Sequence, residues 1–505
     1  MERKCGIISK EVRLNELFSK KKIFYTLIVA MTIFAGIAIR TVVWLHSSCF
    51  WADEGCVLSN LYTRNYAELF IPLSLYQCTP PMFLIFGKFF LSIFGTDHVA
   101  LKFIPYIYSI ATLIGFTILI NKLVKNSVSK LFTIAFLAFH VEILDFTQCF
   151  KQYSSDVFFS ILILLVILFI KDKKLTDKQW LSLGIFAIFC FVSSYTSVFI
   201  IGLSSIAAVG LFLIKKDYEK LKSFTYYAIP AITGFVVFFF MNCLPNIKNE
   251  GLQLYWHTQE MFFPATLEQL QKILAFLIGQ GTINAAIVSI LLLIGAYKLC
   301  KSDKYLFSVF SLITVNTFVL AFLNIYPLTP SRVSVYLVPF FLILIAKSAD
   351  FECKKIFLFN IVVFLIFINT ISIKDSFYAI ANIADNPKIF KRSNAKAYVE
   401  SLYKTEVSKD DYIYVDMTSQ VIFEIYDKEK RFSKEQIIYE VQFGTIEKTL
   451  NTLPKGRNIF FFISNDYAFN NNYYRFSNWI SENCKIVHET DDDKEGYFIK
   501  CLKIR

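Results

Sequence analysis

The sequence predicts a polytopic α-helical membrane protein with a C-terminal α/β domain. Three observations predict it. Of the 505 residues 55% are hydrophobic, and 55 are Phe. Apolar runs of membrane-crossing length recur between residues 23 and 372. From about residue 374 the composition turns to short segments of mixed charged and apolar character. A soluble core needs no such apolar excess. The net charge of +12 would suggest nucleic acid in a soluble chain, but here the lysines sit between apolar runs, where they set topology. Nucleic acid is therefore excluded as a partner.

Residues 1–22 carry Arg3, Lys4, Lys10, Arg13, Lys20, Lys21 and Lys22, and no small-residue cleavage site follows the next apolar run. This segment reads as a cytoplasmic N-terminus before a retained anchor. With basic loops taken as cytoplasmic, the spans fall at roughly 23–46, 99–121, 131–148, 154–170, 180–193, 196–214, 223–244, 283–299, 305–323, 333–350 and 355–372. That odd number, eleven, places the C-terminus outside a cell (inner or plasma) membrane. Lys122, Lys125 and Lys130, then Lys171 to Lys178, Lys215 to Lys222, Lys301, Lys304, Lys354 and Lys355 mark the cytoplasmic side.

PPMFLIFGKFFLSIFG, residues 80–95, has only 16 residues against the ~20 that a spanning helix needs. Its crossing would also put Lys122 to Lys130 outside. The segment is read as an interfacial or re-entrant helix within one outer loop, 47–98. A second outer loop, 245–275, is long enough to act as a lid. The domains are thus 1–22, a transmembrane domain over 23–373, and an extracytoplasmic α/β domain over 374–505. In the last, DYIYVDM, QIIYEV, RNIFFFIS, CKIVHET and GYFIKCLKI read as strands and SNAKAYVESLYKT as helix. The eleven cysteines show no CxxC spacing. Cys190 and Cys243 read as small core hydrophobes, and Cys484 and Cys501 as a candidate pair in an oxidising compartment.

Polar residues gather at the outer ends of the spans: Arg40, Asp53, Glu54, Gln77, Lys102, Glu142, Asp145, Lys151, Asp156, Tyr195 and Arg332. Each charge at membrane depth costs at least ~2.5 kcal/mol on insertion scales, so such groups pair or line a wet cavity. Carboxylates can take a proton from an acceptor, and Arg or Lys can hold a phosphate whose charge grows as a bond to it breaks. Both halves of glycosyl transfer from a lipid phosphate are therefore represented. Each residue also has a plainer reading. Asp53-Glu54 alone fits a solvated loop pair, Arg40 fits snorkelling to headgroups, and Arg332 fits an interfacial anchor. Glu142 and Asp145 fit a structural bridge to Lys151, Asp156 fits a cap on its helix, and His140 fits a mid-helix core histidine. A transporter or polymerase of lipid-linked glycans is the alternative function. It would call for charges through the whole membrane depth and paired broken helices.

Five stretches in order resemble the GT-C glycosyltransferases of family 39, the protein O-mannosyltransferase and lipid A aminoarabinose transferase type. They are R…WADE across 40–54, QCTPPMFLIFGKFFLSIFGTDHVALKFIP across 77–105, TQCFKQYSSD across 147–156, SSYTSVF across 193–199 and TPSRVSVYLVPFFLILIA across 329–346. The resemblance implies Asp53 as catalytic base supported by Glu54. It implies donor-phosphate or substrate contacts from Arg40, Lys102, Lys151, Tyr153, Asp156, Arg332 and Tyr336. Lys102 and Lys151 stand where the family commonly has arginine, and so lack the planar fork that grips phosphate bidentately. The implied donor is a polyprenyl-phosphate monosaccharide, and the acceptor is a glycolipid, a polysaccharide or a protein. Some relatives hold a divalent metal near the acidic pair and others do not. No compact His/Asp ligand spacing decides between them here.

Overall fold

The structure is a computed structural model. It describes residues 2–47, 49–258, 260–262, 268, 272–273, 282–329, 332–350, 395–416, 419–427, 430–439, 450–463, 479–492 and 496–504. The expected span at 355–372 and much of the expected 245–275 loop lie outside these residues. The chain divides into two compact units, each assembled from separate segments: 1–42, 105–147 and 152–377 in the first, and 43–104, 148–151 and 378–505 in the second.

The helices run in chain order as α1 (Glu2–Leu45), α2 (Ala52–Thr63), α3 (Pro81–Phe94), α4 (His98–Leu101), α5 (Phe103–Leu123), α6 (Ser127–Phe139), α7 (Val141–Asp145) and α8 (Tyr153–Ile170). They continue as α9 (Asp177–Ser193), α10 (Tyr195–Ile214), α11 (Tyr218–Phe238), α12 (Leu244–Ile247), α13 (Glu250–Thr258), α14 (Thr282–Ser302), α15 (Lys304–Phe322) and α16 (Val338–Ser348). The C-terminal segment holds α17 (Ala395–Lys404) and α18 (Gln420–Tyr426) with strands β1 (Tyr412–Val415), β2 (Ile437–Tyr439), β3 (Asn458–Ile463), β4 (Cys484–Asp492) and β5 (Gly496–Lys503).

Among the described residues six helices are long and apolar enough to cross a membrane: Lys22–Leu45, His98–Leu123, Tyr153–Ile170, Tyr195–Ile214, Tyr218–Ile247 and Lys304–Phe322. Their outward faces carry large apolar side chains, with Phe34, Met31 and Ile229 each at least 67% exposed. In water that surface would oppose folding, whereas in hydrocarbon it costs nothing. The chain is a polytopic helical membrane protein.

The expected single span at 131–148 is not formed. α6 stops after 13 residues, about 20 Å of helix at 1.5 Å per residue. His140 follows in extended conformation (φ −66°, ψ 124°) and begins α7. It is therefore a helix-end residue and not mid-helix; it is buried, with its ring 4.5 Å from that of Phe136. The stop has an identifiable cause, because the carbonyls that would bind the next turn are taken by Arg40. α9 and α11 pack closely at Gly184, where a Cβ would come 2.6 Å from the Tyr227 carbonyl oxygen.

The C-terminal sheet has the order β2-β1-β3-β5-β4. β2, β1 and β3 pair in parallel, whereas β5 pairs antiparallel with both β3 and β4. β3 is the apolar run NIFFFI, buried from Ile459 onward as a central strand requires. Its side chains alternate: Phe461 meets Tyr414 and Trp479, and Phe462 meets Tyr398 of α17 and Phe423 of α18. All five expected strands form. Cys484 and Cys501 are buried on the neighbouring strands β4 and β5 as thiols, not as a disulfide.

Candidate active site

The site of interest in the second unit is built on the first turn of α2. Trp51 precedes it in extended conformation, and Asp53 and Glu54 occupy the second and third helical positions, where the helix dipole favours carboxylates. Glu54 reaches back so that its Oε2 accepts from the Trp51 N–H at 3.3 Å, one half of a capping box.

The two adjacent carboxylates have separate surroundings. Glu54 is fully buried. Its Oε1 accepts from the Phe150 N–H at 2.5 Å, and Oε2 lies 3.5 Å from the Lys102 Nζ. Lys102 is 1% exposed and holds its ammonium 5.5 Å from the centre of the Phe50 ring. Asp53 is the open member at 27% exposure, and its Oδ1 sits 2.9 Å from the Nζ of Lys151, itself 5% exposed. Lys151 also donates to Gln77 Oε1 at 2.5 Å. Beside this pair, burial pushes the Cys56 thiol up to about 11, with Lys151 drawing it down and Asp53 pushing it up.

Three supports hold the pair. Asn60, one turn or so further along α2, accepts from the Ser74 N–H at 2.8 Å and donates to the Ser74 carbonyl at 3.1 Å and the Cys56 carbonyl at 2.8 Å. This clamps the 74–77 loop to the helix. Next, Leu75 and Tyr76 have φ of 59° and 54°, a left-handed pair costing roughly 1–2 kcal/mol per residue. That strained turn delivers Gln77 to Lys151. Finally, α18 packs on the α2 face that lacks a side chain: a Cβ on Gly55 would come 2.4 Å from Ile422 Cδ1. From the same helix Tyr426 accepts from the Phe50 N–H at 2.9 Å and stacks on the Phe50 ring. Burial holds the Tyr426 hydroxyl well above the usual phenol range.

The remaining sequence candidates lie in the first unit, and several have structural roles there. Arg40 is fully buried. Its Nε donates to Ser109 Oγ at 2.8 Å, and its terminal nitrogens donate to the carbonyls of Gly36 (3.0 Å), Ala138 (2.8 Å) and Leu137 (2.5 Å). Four of the five N–H groups are thus engaged, two of them on the C-terminal carbonyls of α6. The phosphate contact implied for Arg40 gives way to a helix cap supplied by a neighbouring helix, and the snorkelling reading fails because the side chain is buried. Asp156 is buried and accepts from Ser194 Oγ. Gln152, and not Asp156, stands at the N-cap of α8. Tyr153 is buried with its ring 5.3 Å from that of Phe146. Tyr336 is fully buried, its hydroxyl 2.6 Å from Thr317 Oγ1. Arg332 donates to the Tyr255 hydroxyl at 2.9 Å, and Tyr195 donates to Asn242 at 2.7 Å.

Among the described residues no group of three or more His, Cys, Asp and Glu side chains is placed to hold a metal ion. The α2 carboxylates themselves do not fit one. Glu54 turns both oxygens to N–H donors in the interior, and Asp53 faces an ammonium group, which opposes a second cation.

Asn60 and Tyr426 were not singled out in the sequence. An Asn inside a helix is a weak signal, since it competes with the backbone for hydrogen bonds. Tyr426 carried none, as its partner lies 376 residues away.

No family profile matches the chain, and no curated protein matches it in sequence. Solved structures do. ArnT from Cupriavidus metallidurans with undecaprenyl phosphate bound superposes with a TM-score of 0.51 at 9% identity, over 94% of this chain and 98% of that one. The apo form of the same protein gives 0.48 at 9% identity over 96% and 98%. The archaeal oligosaccharyltransferase AglB from Archaeoglobus fulgidus, with an inhibitory peptide and a dolichol-phosphate, gives 0.45 at 12% identity over 94% and 74%. The chain shares the GT-C fold of the ArnT structure with undecaprenyl phosphate bound.

Proposed function

We propose that the chain is an inverting membrane glycosyltransferase that moves a monosaccharide from a polyprenyl-phosphate donor to an acceptor outside the cell membrane, with Asp53 as general base. The N-terminus is cytoplasmic and the C-terminal domain extracytoplasmic. The observation that carries the reading is the division of labour on α2. One carboxylate is open and paired to a lysine, and its neighbour is buried and bracing. The ArnT-like fold supports the reaction class, and the motif order in the sequence supports the residue.

The Lys151 ammonium lies 2.9 Å from the Asp53 carboxylate, the group that takes the proton. The acceptor O–H or N–H gives its proton to the Asp53 carboxylate while the acceptor atom bonds to the anomeric carbon. The bond from that carbon to the phosphate oxygen breaks, and its electron pair leaves with the lipid phosphate, which gains a negative charge. As Asp53 becomes neutral the Lys151 ammonium loses its counter-charge. Its field then acts on the departing phosphate at the moment when that charge develops. Glu54 and Lys102 hold the helix and the 148–151 segment in register, a positioning role. The assignment of Arg332 to the lipid phosphate rests on the late-segment resemblance alone. No step requires a metal bound to Asp53 and Glu54.

The test is mass spectrometry of the glycolipids, glycans and glycoproteins of cells lacking the gene, complemented with the wild-type chain or Asp53→Asn. Wild type restores one monosaccharide. Asp53→Asn, inserted and folded at the same level, lowers it by roughly 10²–10⁴-fold, the range for loss of a general base. Full restoration by Asp53→Asn would remove Asp53 from the mechanism.

A further inference from the structure

The first unit encloses a cavity of about 470 Å³, within the ~300–1,000 Å³ range of small-molecule sites. It opens at the end of the bundle where α8 and α10 stop and α9, α11 and α15 start. The Asp156, Ser194 and Tyr195 side chains lie at the opposite ends of α8, α9 and α10, so the cavity is separate from that polar group.

Its two halves differ in chemistry. At the mouth stand Lys171, Lys173, Lys215, Lys220 and Lys304, with Asp172, Asp217 and Asp303. Five lysines against three aspartates leave two positive charges. Lys171 pairs with Asp303 at 2.6 Å and Lys220 with Asp217 at 3.3 Å. Lys173, Lys215 and Lys304 make no ion pair among the described residues. Asp217 and Asp303 are further engaged as N-caps of α11 and α15. Away from the mouth the walls are largely apolar, with Ile163, Leu183, Ala187 and Ile201 among them. Trp180 stands in the first turn of α9, beside the mouth, and a few hydroxyl-bearing residues line the interior. Tyr227 and Ser205 hydrogen-bond to each other at 2.8 Å, and Tyr305 donates to the Ser204 carbonyl at 3.2 Å.

We propose that this cavity binds an anionic glycerophospholipid, with the phosphate at Lys173, Lys215 and Lys304 and an acyl chain against the apolar walls. A charged mouth with apolar walls beyond it matches the headgroup and tail of such a lipid. A basic pocket between helices at the cytoplasmic end is suited to an acidic headgroup, and Trp180 occupies the interfacial level that indole prefers. A soluble phosphate ester would leave the apolar depth unfilled. The proposal rests on the membrane reading of the fold and is independent of the role given to Asp53.

The full chain in mild detergent, incubated with equal amounts of phosphatidylglycerol and phosphatidylcholine of the same acyl composition, is examined by native mass spectrometry. Phosphatidylglycerol is retained preferentially. Lys173→Ala/Lys215→Ala lowers its retention by about fivefold for each lysine removed and leaves phosphatidylcholine unchanged. Lys125→Ala/Lys130→Ala, at the same end of the bundle but outside the cavity, leaves the preference intact. The proposal is overturned if the two lipids are retained equally, if the control pair has the same effect as the cavity pair, or if excess inorganic phosphate displaces phosphatidylglycerol.

Discussion

Glu54→Gln separates the two carboxylates of α2 by experiment. Glu54 and Lys102 are 3.5 Å apart with at most 1% of either side chain exposed. At an effective dielectric of ~20 their attraction is about 5 kcal/mol, and removal of one partner from a buried pair typically costs ~3–5 kcal/mol because the other charge is left uncompensated. In Glu54→Gln the new Oε1 can still accept from Phe150, but the amide faces an ammonium, donor against donor. Lys102→Met strands the carboxylate instead. Each single variant should therefore lose about 3–5 kcal/mol. The double variant Glu54→Gln/Lys102→Met, with both charges gone, should lie within about 1–2 kcal/mol of wild type. Asp53→Asn disturbs a more open pair and should cost at most about 1 kcal/mol. Denaturant or thermal unfolding of the four proteins in one detergent reads the order, and the sugar-transfer assay is run on the same samples. Single variants as stable as wild type, or a double variant that loses the sum of both, would refute the bracing role.

Three further outcomes follow from the same geometry. Asn60→Ala removes the clamp on Ser74 and leaves a backbone N–H without its partner, at about 1–3 kcal/mol; limited proteolysis should then cut within 64–77 faster than in wild type. Arg40→Lys should be nearly as destabilising as Arg40→Met, since an ammonium cannot reproduce the fork that reaches Ser109 and three carbonyls; thermal stability compares the two. Tyr426 has a folded-state pKa raised by burial, so above the phenol's ordinary value of about 10 the unfolded chain releases a proton that the folded chain keeps, and stability falls as pH rises. Tyr426→Phe should be less stable at neutral pH and flatter above pH ~10, and unfolding measured across that range checks both.

Much of this protein was legible before any coordinates. Apolar run length, lysine placement and period-2 strands depend on neighbouring residues, and they fixed the helical membrane character, the five C-terminal strands and the interest of Asp53. The motif order carried the fold type at a sequence identity where pairwise similarity says little. What a linear reading could not determine was partnership. Asp53 and Glu54 are adjacent and chemically alike, yet one meets Lys151 at the surface and the other meets Lys102 and the Phe150 amide in the interior. Arg40 looked like an anion ligand because its residue type permits it; only packing showed its guanidinium ending α6. The basic mouth and apolar walls of the cavity come from five helices, and no single stretch of the sequence shows them together. Composition and periodicity act over a few residues and so survive in the sequence. Desolvation and hydrogen-bond partnership are set by groups tens to hundreds of residues apart, and these exist only once the chain has folded.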